Sequence, residues 1–271
     1  MSKKKEKTPE EREKKFFNSF DFFDDEDEDR HADTPSGTSD GTLEMDLSSV
    51  NSKKDRDTQH GKVLAGISTT TSLPFFEHKI LMKQDTHECG GHLWRSATVL
   101  MSFMENTTHF PPQEDGKSHW YKKRIIELGA GTGLLGIALA KTGASVIVTD
   151  QESLVPLMRE NATLNQLSET DVTVDKLSWG EEDCTRYKTE KIDYIIASDC
   201  VYLEFTFEAL IETMMDLADA STTIIMSFQK RRKGDNRFWR MAGKKFEIKR
   251  IPLESYSNSH ERVMINFLTK K

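Results

Sequence analysis

Cysteine is scarce in this chain, and the three that occur, Cys89, Cys184 and Cys200, form no C-x-x-C pair. Such usage fits a reducing compartment and leaves no disulfide framework to organise the fold. Long apolar runs are missing as well. No stretch approaches the roughly 20 residues that would span a bilayer, and the N-terminal "MSKKKEKTPEEREKK" lacks the apolar core of a secretory signal. Nor is there an excess of positive charge, since 38 Lys and Arg stand against 45 Asp and Glu, a net charge of -7. General affinity for the nucleic acid backbone needs a basic face, so nucleic acid is not the expected partner. These absences point to an intracellular protein with neither membrane nor nucleic acid among its partners; a cytoplasmic monomer is expected.

The N-terminal part also has little to bury. From Met1 to about Thr71 the chain is charged and rich in Ser, Thr, Asp and Gly, and it includes the acidic run "DDEDED". Ordering such a segment costs more conformational entropy than its burial returns. Residues 1–71 are therefore expected to be a disordered tail, and 72–271 a single domain. Within the tail, "KKFFNSFDFFDDEDED" can be read as an acidic-aromatic docking motif, and a solvated segment is the simpler reading. "KKKEK" is likewise common tail composition rather than a targeting signal.

After Thr71 strand and helix signals alternate. "FEHKILMKQD" reads as a strand, and Leu93, Trp94, Ala97, Leu100, Met101 and Met104 share one helical face. "RIIEL", "SVIVTD", "DVTVDKLSW", "KIDYIIAS" and "TTIIMSF" are strands. Between them lie "GLLGIALAKTG", a helix closed by Gly143, then "QESLVPLMRENATLNQ" and a helix from about Glu204 to Ala218. The end, "KFEIKRIPL" with "ERVMINFLTK", reads as an antiparallel hairpin. The fold class is α/β, a Rossmann-like seven-stranded, mostly parallel sheet with helices on both faces.

"RIIELGAGTGLLG" sets Gly129, Gly131 and Gly133 between the first central strand and a helix, at the crevice where open parallel sheets bind ligands. Gly131, Gly133 and Gly136 also satisfy G-x-G-x-x-G, which keeps a nicotinamide oxidoreductase in view. Glu127, just before the loop, separates the two readings. A carboxylate there repels a pyrophosphate and attracts a cationic ligand such as S-adenosylmethionine, with its ammonium and sulfonium. Asp150 ends the next strand, where a carboxylate accepts ribose hydroxyls; its other reading is a helix N-cap. Trp179 in "LSWG" is positioned to lie against adenine, or is simply core.

Taken together, "GGHLWRSATVL", "ELGAGTGLLG", "VTDQ", "LSWG" and "SDCVY" resemble the class I seven-β-strand methyltransferases. They are most similar to the branch that methylates lysines of cytosolic proteins such as Hsp70-type chaperones and translation elongation factors. The resemblance covers roughly residues 75 to 270. "SFQKRRKGDNRFWRMAGKKFEI" brings it nearest to the fungal elongation-factor-1-alpha lysine methyltransferases. It implies S-adenosyl-L-methionine as cofactor and a protein substrate, an elongation factor or a chaperone. It further implies that Trp94 and Trp179 flank the adenosine, that Glu127 with the backbone of Gly129, Ala130 and Gly131 holds the methionine end, that Asp150 holds the ribose, and that Ser198 completes the wall. The acidic N-terminal extension is not part of the shared core.

In that topology the strand ending "SDCVY" lies beside the first, so Asp199 and Tyr202 emerge at the methyl-transfer site. Asp199 is expected to bind and orient the acceptor amine, and Tyr202 to form an aromatic wall; the alternatives are a helix N-cap and plain packing. An acid in this place suits an ammonium-like acceptor better than an exocyclic base nitrogen. Phe205, Phe228 and Trp239 are candidates for the rest of the channel. "KRRK" reads as a solvated loop, with guidance of an acidic partner as its alternative, and "HECGGH" matches no tetrahedral zinc spacing. A non-catalytic binding module on the same fold is the third possibility.

Overall fold

The computed structural model describes residues 68–85, 89–180, 184–230, 235–253 and 263–271. The expected disordered tail, with its docking and "KKKEK" segments, lies outside these residues apart from Ser68 onward. There the chain is already extended: β1 (Ser68–Phe75) pairs antiparallel with β2 (His78–Asp85) in full register. The strand therefore begins three residues ahead of the tail boundary expected at Thr71. Of β1, Leu73 and Phe75 are fully buried. The polar "STTTS" gives no apolar signal, and backbone pairing with β2 is what makes it a strand.

Helix α1 (Arg95–Phe103) follows, then β3 (Arg124–Leu128), α2 (Leu134–Lys141), β4 (Ser145–Asp150), α3 (Val155–Leu164) and β5 (Val172–Lys176). The second half runs β6 (Tyr194–Ser198), α4 (Phe207–Leu217), β7 (Thr223–Gln229), α5 (Asp235–Ala242), β8 (Phe246–Ile251) and β9 (Val263–Lys270). The seven-stranded sheet has the order β5-β4-β3-β6-β7-β9-β8. β5 through β7 are mutually parallel, and β9 joins antiparallel to β7 and to β8. The α/β class and the terminal antiparallel hairpin are thus as expected, and β6 does lie beside β3. Helix α5 was not foreseen in the stretch that carries Trp239.

The middle strands are buried on both faces, which explains their nearly continuous Ile and Val content. Ile126, Leu128, Ile195 and Ala197 pack with Phe207, Leu210 and Met214 of α4 and with Phe238 of α5. The alternate residues face α2, and among them Glu127 is the one charged residue of β3 to be buried. The order of the strands reverses between β3 and β6, so their carboxyl ends diverge into a crevice.

The β1–β2 hairpin is not part of the large sheet, and two asparagines of α3 and its end hold it. Asn161 Oδ1 accepts the Lys83 N–H at 2.7 Å, and its Nδ2 donates to the carbonyls of Lys83 and Thr132. Asn165 Oδ1 accepts the Leu81 N–H at 2.8 Å and its Nδ2 donates to the Leu81 carbonyl. The outer backbone of β2 is thereby satisfied by side-chain amides in place of a strand.

Candidate active site

The crevice opens into a cavity of about 720 Å³. That volume is in the range of small-molecule sites. Its floor is the turn after β3. Gly129, Gly131 and Gly133 have φ of 60°, 57° and 81°. Gly131 needs its missing side chain for a second reason, since a Cβ there would lie 2.5 Å from the Gly90 carbonyl oxygen. On Gly129 a Cβ would meet Trp179 Cζ2 and Cys200 Sγ, each at 2.8 Å. The Trp179 ring therefore rests directly on the glycine turn. Gly133 is the N-cap of α2 and stands behind the cavity rather than in its wall.

Glu127 is 2% exposed, and its Oε2 accepts the Gly136 N–H at 2.7 Å. Gly136 is the third residue of α2, so this bond satisfies one of the orphan N–H groups of a helix's first turn. Burial pushes the Glu127 carboxyl up to about 8, against the smaller lowering by that hydrogen bond, and Asp150 raises it further. A Cβ on Gly136 would meet Val148 Cγ1 at 2.1 Å and Glu127 Oε2 at 2.8 Å. Alanine at Gly136 is accordingly expected to push α2 off the sheet. Overpacking of this kind costs about 1–3 kcal/mol, read as a lowered Tm; an unchanged Tm would show that α2 does not bear on the sheet there.

Asp150 at the end of β4 reaches back to the same turn. Its Oδ2 accepts the Gly131 N–H at 2.7 Å and its Oδ1 the Gln151 N–H at 2.7 Å. The capping residue of the short helical turn that follows is Gln151, so Asp150 is not its N-cap.

Asp199 follows β6 with φ of 58°, a left-handed conformation that Asp tolerates better than most residues. Its N–H donates to the Ser227 carbonyl at 2.8 Å, and its Oδ1 accepts the Gln229 N–H at 3.2 Å. The caps of the following helical turns are Leu203 and Thr206, so the N-cap reading of Asp199 does not hold. The side chain is 8% exposed and lines the cavity. Tyr202 lines it too at 40% exposure, and burial raises its phenol above the usual range, so at neutral pH the group is a hydrogen-bond donor and not a base. Behind them Ser227 Oγ lies 2.9 Å from both Ser198 Oγ and the Ser96 carbonyl oxygen. Ser198 itself faces the cavity.

Trp94, Glu127, Gly129, Ala130, Gly131, Asp150, Trp179, Ser198, Asp199 and Tyr202 all meet in this one cavity. Of the channel candidates Phe205 joins them. Phe228 and Trp239 do not; their rings pack on each other 4.8 Å apart, with Phe228 1% exposed. The segment leading into Trp94, for which the sequence suggested no part in the site, forms a cavity wall through Cys89, Gly90 and His92, braced by the Trp94 Nε1 bond to the Cys89 carbonyl at 3.1 Å. Gly131 leaves room there for the Gly90 carbonyl, and Gly90 in turn leaves room for Leu154, whose Cδ1 a Cβ would meet at 2.4 Å. His87 of "HECGGH" and the "RRK" of "KRRK" lie outside the described residues.

The profile described as lysine methyltransferase matches residues 75–245. Protein N-lysine methyltransferase METTL21A of Danio rerio is 35% identical over 187 residues, 68% of this chain and 81% of that protein. Protein-lysine N-methyltransferase EFM6 of Saccharomyces cerevisiae is 30% identical over 181 residues, 60% of this chain and 73% of that one. Among solved structures, the Thermus thermophilus 16S rRNA N2 G1207 methyltransferase in complex with AdoMet and guanosine superposes with a TM-score of 0.55 at 15% identity, covering 79% of this chain and 53% of that one. At that identity the likeness is one of fold.

Proposed function

The chain belongs to the lysine methyltransferase family, S-adenosylmethionine-dependent enzymes that act on protein lysines, and from that premise we propose which residues do the work and on what substrate. The nicotinamide reading of the glycine spacing falls with this membership. The residues present fit the methyl donor. A buried carboxylate with a raised pKa beside a backbone cradle suits an ammonium, and a nicotinamide dinucleotide would bring a pyrophosphate to Glu127 instead. Glu127 with the backbone of Gly129, Ala130 and Gly131 would hold the methionine end, Asp150 the ribose, and Trp179 with Trp94 the adenine side. When bound, S-adenosylmethionine supplies an electrophilic methyl group on sulfur.

The observation that carries the assignment is that Asp199 and Tyr202, at the end of β6, share one cavity with Glu127 and the glycine turn at the end of β3. A free lysine has a pKa of roughly 10.4, so presenting it neutral at pH 7 costs on the order of 4 to 5 kcal/mol. Asp199 binds and orients the incoming ammonium, while the half-buried Tyr202 ring walls the channel and desolvates the amine, which favours loss of its proton to water. Orientation and desolvation oppose each other on the amine's pKa, and they act in succession: attraction on entry, desolvation at the reacting position.

The substrate is a translation elongation factor, with elongation factor 1-alpha the first candidate and an Hsp70-type chaperone the second. Support comes from the resemblance of the segment around Trp239 and from the acid at Asp199, which suits a cationic acceptor. The test is transfer of labelled methyl from S-adenosylmethionine to each purified protein, with the acceptor mapped by mass spectrometry. Label on lysine of the elongation factor is expected; label on neither protein rejects both substrates.

A further inference from the structure

Phe205 is 81% exposed, the most exposed large apolar residue among those described, and it lines the cavity mouth with Tyr202 and Leu203. A single apolar residue on a surface is ordinary. This one is neither isolated nor loose. It sits in the helical turn Glu204–Thr206, where the Thr206 N–H and Oγ1 both bond the Leu203 carbonyl, at 3.1 and 2.9 Å. Glu204 accepts a hydrogen bond from Arg237 Nη1 of α5 at 3.2 Å, an exposed pair at the surface of the turn. The residue that begins α4, Phe207, points the opposite way into the core, 1% exposed and edge-on to Phe238 with centroids 5.4 Å apart. With Phe207 committed inward, Phe205 is held outward.

We propose that Phe205, with Tyr202 and Leu203, is the docking lip for the protein substrate, and that it seats an apolar side chain lying beside the acceptor lysine. The inference rests on the assignment of Asp199 and Tyr202 as the acceptor end of the cavity. A lysine that reaches Asp199 passes Tyr202 and Phe205, so the chain that carries it lies on the lip. Continuity of the exposed ring with the cavity wall selects a substrate segment as occupant over a second copy of this chain. An aromatic side chain preorganised in this way gains its burial energy only when the substrate arrives, which is how truncation-sensitive residues at interfaces behave.

The test compares the unaltered enzyme, Phe205→Ala and Phe205→Leu on purified elongation factor 1-alpha or Hsp70, whichever the unaltered enzyme labels. Phe205→Ala is expected to raise KM for the protein about tenfold while kcat changes little, and Phe205→Leu to recover most of the loss. The Kd for S-adenosylmethionine and the Tm are expected to stay as they were, because an exposed side chain supports neither. A KM within twofold of the unaltered enzyme's overturns the proposal, as does sedimentation showing a dimer that Phe205→Ala dissociates with KM unchanged. If the unaltered enzyme labels neither protein, the underlying assignment of substrate fails and this inference fails with it.

Discussion

Asparagine in place of Asp199 is expected to lower kcat about a hundredfold, or ~2.7 kcal/mol in the transition state, with the Kd for S-adenosylmethionine within about twofold. The substitution keeps volume, tolerates the left-handed φ of 58°, and still offers an oxygen to the Gln229 N–H. Only the charge proposed to draw and align the acceptor is lost. Charge-assisted hydrogen bonds are roughly twice as strong as neutral ones, and their value rises away from water. Alanine would add strain of its own at this backbone conformation, so asparagine is the cleaner probe. Kinetics on the methylated protein, with cofactor binding followed by calorimetry, separate the two ends of the cavity. Turnover that survives at half the normal rate would remove Asp199 from the acceptor site.

Glutamine in place of Glu127 is expected to divide stability from binding. The carboxyl is pushed from 4.5 to about 8 in the fold. Because the folded pKa lies above the unfolded one, the native state loses stability as pH rises from about 4.5 through about 8, by a total on the order of 5 kcal/mol. Glutamine removes that slope. Without ligand the variant should be the more heat-stable protein at pH 8, and the gap should narrow toward pH 5. Its affinity for S-adenosylmethionine should nonetheless fall on the order of a hundredfold, because a buried charge partner is gone. With Glu127 holding the cofactor's ammonium as proposed, the bound cation draws the carboxyl back to its charged form at a cost on the order of 1 kcal/mol at pH 7, so binding at that pH should release a proton. Calorimetry in two buffers of different ionisation enthalpy reads the release directly. A variant that is less stable than the parent at pH 8, or that binds the cofactor equally well, would contradict this account of Glu127.

Why these positions were readable from the chain alone is a matter of range. The glycine turn, Glu127 and Asp150 are fixed by spacing along a strand–turn–helix unit, and Gly131 N–H to Asp150 spans only β3 to its neighbour. Asp199 could be placed because β6 follows the alternation of apolar strands. Other features depend on contacts that no local pattern encodes. β1 is a strand because β2 supplies hydrogen bonds to a run of Ser and Thr. Phe228 and Trp239 look identical in sequence to channel residues, and only the unforeseen α5 places the indole against Phe228 in the interior. The wall formed by Cys89–Trp94 lies where it does because Gly131, far along the chain, leaves room for the Gly90 carbonyl. Whether an aromatic residue is turned in or out, as Phe207 and Phe205 are on adjacent turns, is likewise settled by what packs on the helix from elsewhere.

The two asparagine clasps on β2 work as a vernier between unlike rulers. Asn161 and Asn165 are four residues apart on a helical scale of about 1.5 Å per residue, roughly 6 Å, while Leu81 and Lys83 are two apart on a strand scale of about 3.4 Å, roughly 6.8 Å. The graduations coincide to within an ångström at this pair of marks, so both amides engage at once. A slip of the hairpin by two residues would preserve its inward-facing pattern, yet it would exchange the partners of both clasps and carry the cavity wall that begins at Cys89 along with it. The seating of the hairpin on α3 is thus set by a length match between a helix and a strand.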